Sequence, residues 1–403
     1  MKRFLAIALT LVMVFALASC AGDSNVNSPN APADSAQPST PAASTSPSAP
    51  AANSPSNPPA ESPSAPPAAP DGFELALITD VGTIDDKSFN QGAWEGLKRF
   101  ADESGKTIKY YQPIDEGTNY YLDAIKLAVD AGAVIIVTPG FLFEEPIFIA
   151  QDLYPNVNFV LLDGSPHNAD YSQFKTGPNT VGVTYAEEES GFLAGYAAVK
   201  DGYRNLGFMG GMAVPAVVRF GYGFVVGAEY AAVELGLNVG DITLRYHYTD
   251  VFWPTPEAQT MAASWYSSGA EVIFACGGGM GNSVMAAAEA AGQKVIGVDI
   301  DQADESPTII TSAMKELAIS VYDTVKEYYE GKWRGGQDII FTAANEGVGL
   351  PMKTSRFNTF STADYNAIYA KLAANSVPIF KDVSDGVTAK DIPVVISKVT
   401  VVG

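Results

Sequence analysis

The sequence holds little reactive chemistry. Its two cysteines, Cys20 and Cys276, are too few for a disulfide framework. Its two histidines, His167 and His247, have no metal-ligand spacing, so no metal site or cofactor is expected. There is no G-x-S-x-G elbow, and Gly105-Lys106-Thr107 is not a P-loop because Phe100 stands where the first glycine must be. Basic residues are also scarce, 24 against 45 acidic ones, for a net charge of −21. Such a field repels polynucleotides, which excludes non-specific nucleic-acid binding, though it says little about a neutral ligand. No apolar run after the N-terminal one reaches 18 residues, so no later transmembrane span is expected.

The N-terminal run itself is informative. Lys2-Arg3, the apolar Phe4–Leu17 and the small residues before Cys20 describe an export signal. Leu17-Ala18-Ser19-Cys20 resembles a bacterial lipobox, which implies a lipid on Cys20 and an extracytoplasmic, membrane-anchored protein; a plain secretory signal or an uncleaved helix are the alternatives. Residues 21–70 are nearly all Ala, Ser, Pro, Asn and Thr, hold half of the 26 prolines, and contain no aromatic residue. That composition cannot bury a core and predicts a disordered tether. The folded part is thus expected over 71–403, long enough for two cores.

From Phe73 onward apolar runs of strand length alternate with helical patterns. Strands are expected over 73–79, 107–112, 133–138, 157–163, 181–184, 206–209, 242–248, 272–276, 295–299 and 308–312, with a terminal strand over 394–402. Helices are expected over 120–131, 187–200, 220–235, 255–267, 283–291, 314–329 and 362–374. The alternation predicts an α/β protein with parallel sheets flanked by helices, and ten strands favour two lobes over one.

The stretch Leu75–Phe100 is the most structured reading in the chain. It runs strand, acidic turn, amphipathic helix, with Ser88 and Gln91 spaced as a capping box and Gly105 as the helix stop. In parallel sheets ligands bind beyond the carboxyl ends of the strands, where Asp80 to Asn90 would lie. Four expected strands end in aspartate: Asp80, Asp163, Asp250 and Asp299. Any one of them is an ordinary turn former. Four on one edge form a set of hydrogen-bond acceptors suited to a ligand rich in hydroxyl or amine donors. Aromatic residues stand beside them, Phe89 after Asp80 and Phe252-Trp253 after Asp250, either as core residues or as platforms for a planar ring. Cys276-Gly277-Gly278-Gly279 follows a strand and precedes a helix; the glycine spacing is wrong for a dinucleotide site but allows close backbone approach.

The wording ITDVGTIDDKSFNQGAWEGL resembles the N-terminal signature of the basic membrane protein family, the nucleoside-binding lipoproteins of ABC importers. The resemblance extends over about Phe73 to Met352, including GFLAGYAA and FGYGFVVGAEYAA. It implies a two-lobed type I periplasmic-binding-protein fold, lobe 1 over about 71–190 plus 313–345 and lobe 2 over about 191–312 plus 346–403. It also implies a nucleoside ligand, purine in the first instance, and permease and ATPase partners for a monomeric receptor. The implied ligand-binding set is Asp80, Phe89, Asn90, Asp163, Phe252, Gly278, Gly279, Asp299 and Lys315. Asp301, two residues after Asp299 in VDIDQ, is read from its position as a partner of Asp299 rather than a ligand contact. The choice between Phe252 and Trp253 as second stacking ring stays open. A sugar-binding protein of the same fold and a nucleoside hydrolase using paired aspartates are the competing readings.

Overall fold

The computed structural model describes residues 72–402, apart from Asp382 and Asp385. The export signal, Cys20 and the tether lie outside the described residues.

Five parallel strands come first: β1 (Leu75–Ile78), β2 (Ile108–Tyr111), β3 (Ile135–Pro139), β4 (Asn158–Leu162) and β5 (Thr180–Tyr185). Between them run α1 (Phe89–Ser104), α2 (Thr118–Asp130) and α3 (Glu144–Leu153). The chain then enters α4 (Glu187–Lys200) and builds a second βα series. This contains β6 (Asn205–Gly210), α5 (Pro215–Glu234), β7 (Thr243–Tyr248), α6 (Pro256–Ser267), β8 (Val272–Cys276), α7 (Gly281–Ala291), β9 (Lys294–Asp299) and β10 (Ile309–Lys315). After α8 (Leu317–Tyr329), β11 (Gln337–Phe341) returns to the first sheet. The strands β12 (Val348–Gly349) and β13 (Lys398–Val401), with α9 (Thr362–Ala373) between them, finish the second sheet.

The sheet orders are β11-β5-β4-β3-β1-β2 and β12-β10-β9-β8-β6-β7-β13, parallel throughout except for the β10–β12 pair. Central strands such as β1, β3 and β8 are buried along their whole length, because helices cover both faces of each sheet. In the first sheet β2 and β3 lie on opposite sides of β1, and in the second β7 and β8 lie on opposite sides of β6. Each reversal opens a crevice at the carboxyl ends of the strands.

The helices α4 and α5 pack closely in the second half. A Cβ at Gly191 or Gly195 would collide with the carbonyls of Phe220 and Phe224, and one at Gly223 or Gly227 with those of Glu188 and Phe192. Glycine at all four positions lets the backbones touch. α5 is long and apolar enough to cross a membrane, yet most of it is covered by protein. It is a core helix, and its contact with α4 sets Arg219 beside Glu187.

Two local expectations are corrected. The helix expected to start at Met314 starts at Leu317, since β10 continues through Met314 and Lys315 by pairing with β12. Gly105 does end α1 in the left-handed conformation, φ 70°, but Ser88 makes no side-chain cap at its start. The carboxylate of Asp86 caps α1 instead, accepting from the backbone N–H groups of Ser88, Asn90 and Gln91 at 2.9–3.0 Å.

Candidate functional site

A cleft of about 320 Å³ opens where the strand ends of the two sheets face each other. Asp80, Phe89, Asn90 and Asp163 line it from the first sheet and its helices, Phe252, Gly278, Gly279, Asp299 and Lys315 from the second. All nine residues named from the sequence therefore come together.

Asp80 follows β1 at the crevice between β1 and β3. Its Oδ1 accepts from the Gly82 N–H at 2.8 Å and the Asn90 side-chain amide at 2.9 Å. Burial outweighs these bonds and pushes its carboxyl up to about 6. Gly140, after β3, has φ 117° and touches this carboxylate closely; any Cβ there would press on Asp80.

Asp163 and Asp299 follow β4 and end β9 with φ of 59° and 67°, a left-handed backbone that aspartate tolerates better than most residues. Between them stands Lys315, only 3% exposed. Its Nζ lies 2.5 Å from Asp163 Oδ2, 3.6 Å from Asp299 Oδ1 and 3.8 Å from Glu187 Oε1. Burial opposes its charge, but the three carboxylates outweigh burial and hold its pKa above the ordinary value. The reverse holds for Asp163, whose carboxyl burial pushes up to about 7 against the pull of Lys315. Lys315 is thus no solvated helix lysine. Asp163 Oδ1 is buried and has no hydrogen-bond partner among the described residues. Such an acceptor is costly to leave unmatched, and it belongs to a cleft-lining side chain.

The aromatic walls come from both sides. Phe89 opens α1, with the Lys315 ammonium 4.5 Å from its ring centre. The Phe252 ring packs over Gly211, where a Cβ would collide with it, and its carbonyl accepts from Met280 N–H at 3.0 Å. That bond ties the Phe252 loop to the Gly277–Gly279 turn. Trp253 also lines the cleft but is 48% exposed.

Two readings are corrected. Asp250 is exposed and outside the cleft lining: the loop after β7 turns there with a left-handed φ of 60°, and Phe252, two residues on, lines the cleft instead. Asp301 is no partner of Asp299; it is exposed and accepts from Ala303 N–H and the Thr354 hydroxyl. Cys276 is a buried free thiol, its pKa raised by burial, which makes it unreactive. Several lining or supporting groups had no sequence signal: Phe141, Val214–Val217 and Asn282 in the walls, and the pair of half-buried Arg219 with buried Glu187 at 2.6 Å, beside Lys315.

Residues 73–379 match the family model described as Bmp, ABC transporter substrate-binding protein PnrA-like. The chain belongs to the Bmp family. Among similar proteins, the ABC transporter nucleoside-binding protein BmpA of Lactococcus lactis subsp. cremoris is 32% identical over 301 residues, 68% of this chain and 80% of that protein. Basic membrane protein A2 of Borrelia garinii subsp. bavariensis is 32% identical over 272 residues, 66% of this chain and 76% of its own. A solute-binding protein of an ABC transporter system from Aeropyrum pernix K1 shares the fold, with TM-score 0.62 at 24% identity over 79% of this chain and 84% of the other. One from Conexibacter woesei does so at 0.62 and 22%, over 77% and 99%. This Bmp protein is accordingly an ABC transporter substrate-binding protein with the two-lobed type I architecture. The family is one of binding proteins, not of enzymes.

Proposed function

We propose that this Bmp protein is a lipid-anchored receptor that binds a purine nucleoside in its cleft and hands it to the permease and ATPase of an ABC importer. The observation that carries the reading is Asp163 Oδ1, a buried acceptor without a hydrogen-bond partner among the described residues, next to Asp299 and Lys315. Together they offer two acceptors and one cationic donor, which matches adjacent ribose hydroxyls that can both give and receive hydrogen bonds. Phe89, whose ring lies 4.5 Å from the Lys315 ammonium, and Phe252 come from opposite halves and suit a flat base held between rings. Asp80 and Asn90 then meet the polar edge of that base. The L. lactis relative is described as nucleoside-binding, which agrees with this assignment.

In this reading Cys20 carries the lipid, residues 21–70 hold a monomeric binding domain away from the membrane, and the two lobes hinge on the chain crossings near Ala186, Glu316 and 342–347. The cleft volume, about 320 Å³, lies at the lower end of the range for small-molecule sites.

Calorimetry of the full chain against inosine, guanosine, cytidine, ribose and hypoxanthine tests the proposal. Purine nucleosides bind more tightly than pyrimidine nucleosides, and far more tightly than ribose or the free base. Saturable binding of ribose or another sugar, with none of nucleosides, contradicts it. Release of hypoxanthine from inosine in the same samples contradicts the receptor role.

A further inference from the structure

Ser88 occupies the position of a helix cap and does not act as one. Asp86 satisfies the first N–H groups of α1, which leaves the Ser88 hydroxyl free for another partner. It donates to Asp299 Oδ2 at 2.6 Å. Ser88 is fully buried, and Asp299 belongs to the other sheet.

Two neighbouring contacts join the same segments. The Gln302 amide donates to the Lys87 carbonyl at 2.6 Å, and the Lys87 ammonium lies 3.6 Å from Glu305. Gln302 is itself fixed, its side-chain oxygen accepting from Val298 N–H at 2.9 Å and its own N–H donating to Ser312 Oγ at 3.1 Å. The start of α1 is thereby clasped to the segment that follows β9.

We propose that Ser88 is a positioning residue for Asp299: it engages one carboxylate oxygen across the lobes, which turns the other, Oδ1, toward Lys315 and the cleft. The terminal torsion of an aspartate is broad, and a carboxylate held by no such bond samples a wide range of orientations. Since donor and acceptor sit on different lobes, Asp299 is aligned for ligand only when the lobes meet. Closure and sugar recognition are therefore linked through one hydroxyl. This role rests on the nucleoside reading of the cleft, while the clasp itself does not.

The test compares wild type, Ser88→Ala, Asp299→Ala and the double variant, following dissociation of inosine and of 2′,3′-dideoxyinosine by stopped flow. A bond from a neutral donor to a charged acceptor supports a loss of about tenfold. Inosine should leave Ser88→Ala about tenfold faster, and dideoxyinosine less than about twofold faster. In the Asp299→Ala background the serine change should add almost nothing, the mark of two residues acting through one interaction. Equal losses for both ligands, or a full further loss in the double variant, overturn the proposal and leave Ser88 a packing residue. If wild type binds neither ligand, the nucleoside reading fails, and hydrogen exchange on wild type and Ser88→Ala decides the clasp. Faster exchange confined to residues 82–91 and 297–305 upholds it; unchanged or uniformly faster exchange rejects it.

Discussion

Lys315 and Asp163 come from different sheets, yet their charged atoms meet at 2.5 Å where both side chains are almost wholly buried. Asp299 and Glu187 share the same ammonium. Removing one partner of a buried pair leaves uncompensated charge, at a cost of about 3–5 kcal/mol. Lys315→Met should therefore destabilise the fold strongly. The sign with pH follows from Asp163, whose carboxyl is raised in the folded state to about 7. Such a group stabilises most below its unfolded pKa, and that contribution is lost as pH rises through the folded one. Without Lys315 the penalty should be larger at pH 8 than at pH 5, as read from urea unfolding of the variant and wild type at both pH values.

Ligand affinity should follow the opposite trend. Asp80, raised to about 6 by burial, accepts from a base N–H most strongly when ionised. If only the ionised form binds, titration of Asp80 alone should raise the dissociation constant for inosine about tenfold between pH 7 and pH 5, and Asp163 should add to this rise. Asp80 by itself favours the folded state most below its unfolded pKa, so the fold does not weaken through this group over that window. Calorimetry at the two pH values checks the affinity, and Asp80→Asn should remove the part due to Asp80 while leaving the part due to Asp163, whose carboxyl, pushed up to about 7, titrates in the same window.

The two rings should separate from Trp253. Phe89 and Phe252 each cover one face of the base in the proposed complex, and truncating a buried aromatic removes about 1.5–3 kcal/mol. Phe89→Ala and Phe252→Ala should each weaken inosine binding by one to two orders of magnitude, on the order of that loss. Trp253, half exposed and not held against Gly211, should change affinity less than about threefold when replaced by alanine. Titration of the three variants by tryptophan fluorescence or calorimetry decides among them.

Cys20 can be tested apart from the cleft. Cys20→Ser should abolish incorporation of labelled palmitate and release the protein to the medium or leave an uncleaved precursor, with nucleoside affinity unchanged. Normal anchoring of the variant would dispose of the lipid assignment.

Much of this was legible because parallel strands write themselves as short apolar runs. β4 and β9 also announce the cleft through Asp163 and Asp299 at their ends. Features made by distant partners were not legible. The edge strand β11, Gln337–Phe341, is mostly exposed and has no buried run to betray it. Lys315 stays in a strand because Val348 pairs with it, and its burial depends on three carboxylates from separate segments. Ser88 carries a local capping signature, but its partner lies 211 residues away. Glu187 and Arg219 look like ordinary helix charges until α4 and α5 are brought together. Asp250 misled for a related reason, since only the turn of the loop after β7 tells that Phe252 and not Asp250 enters the cleft.

A crystal structure of the inosine complex tests the central claim most directly. The account predicts a ribose hydroxyl within hydrogen-bonding distance of Asp163 Oδ1, a second near Asp299 and Lys315, and the base lying between Phe89 and Phe252. Inosine bound elsewhere, or in the cleft with Asp163 Oδ1 still unpaired and the base away from both rings, would contradict it.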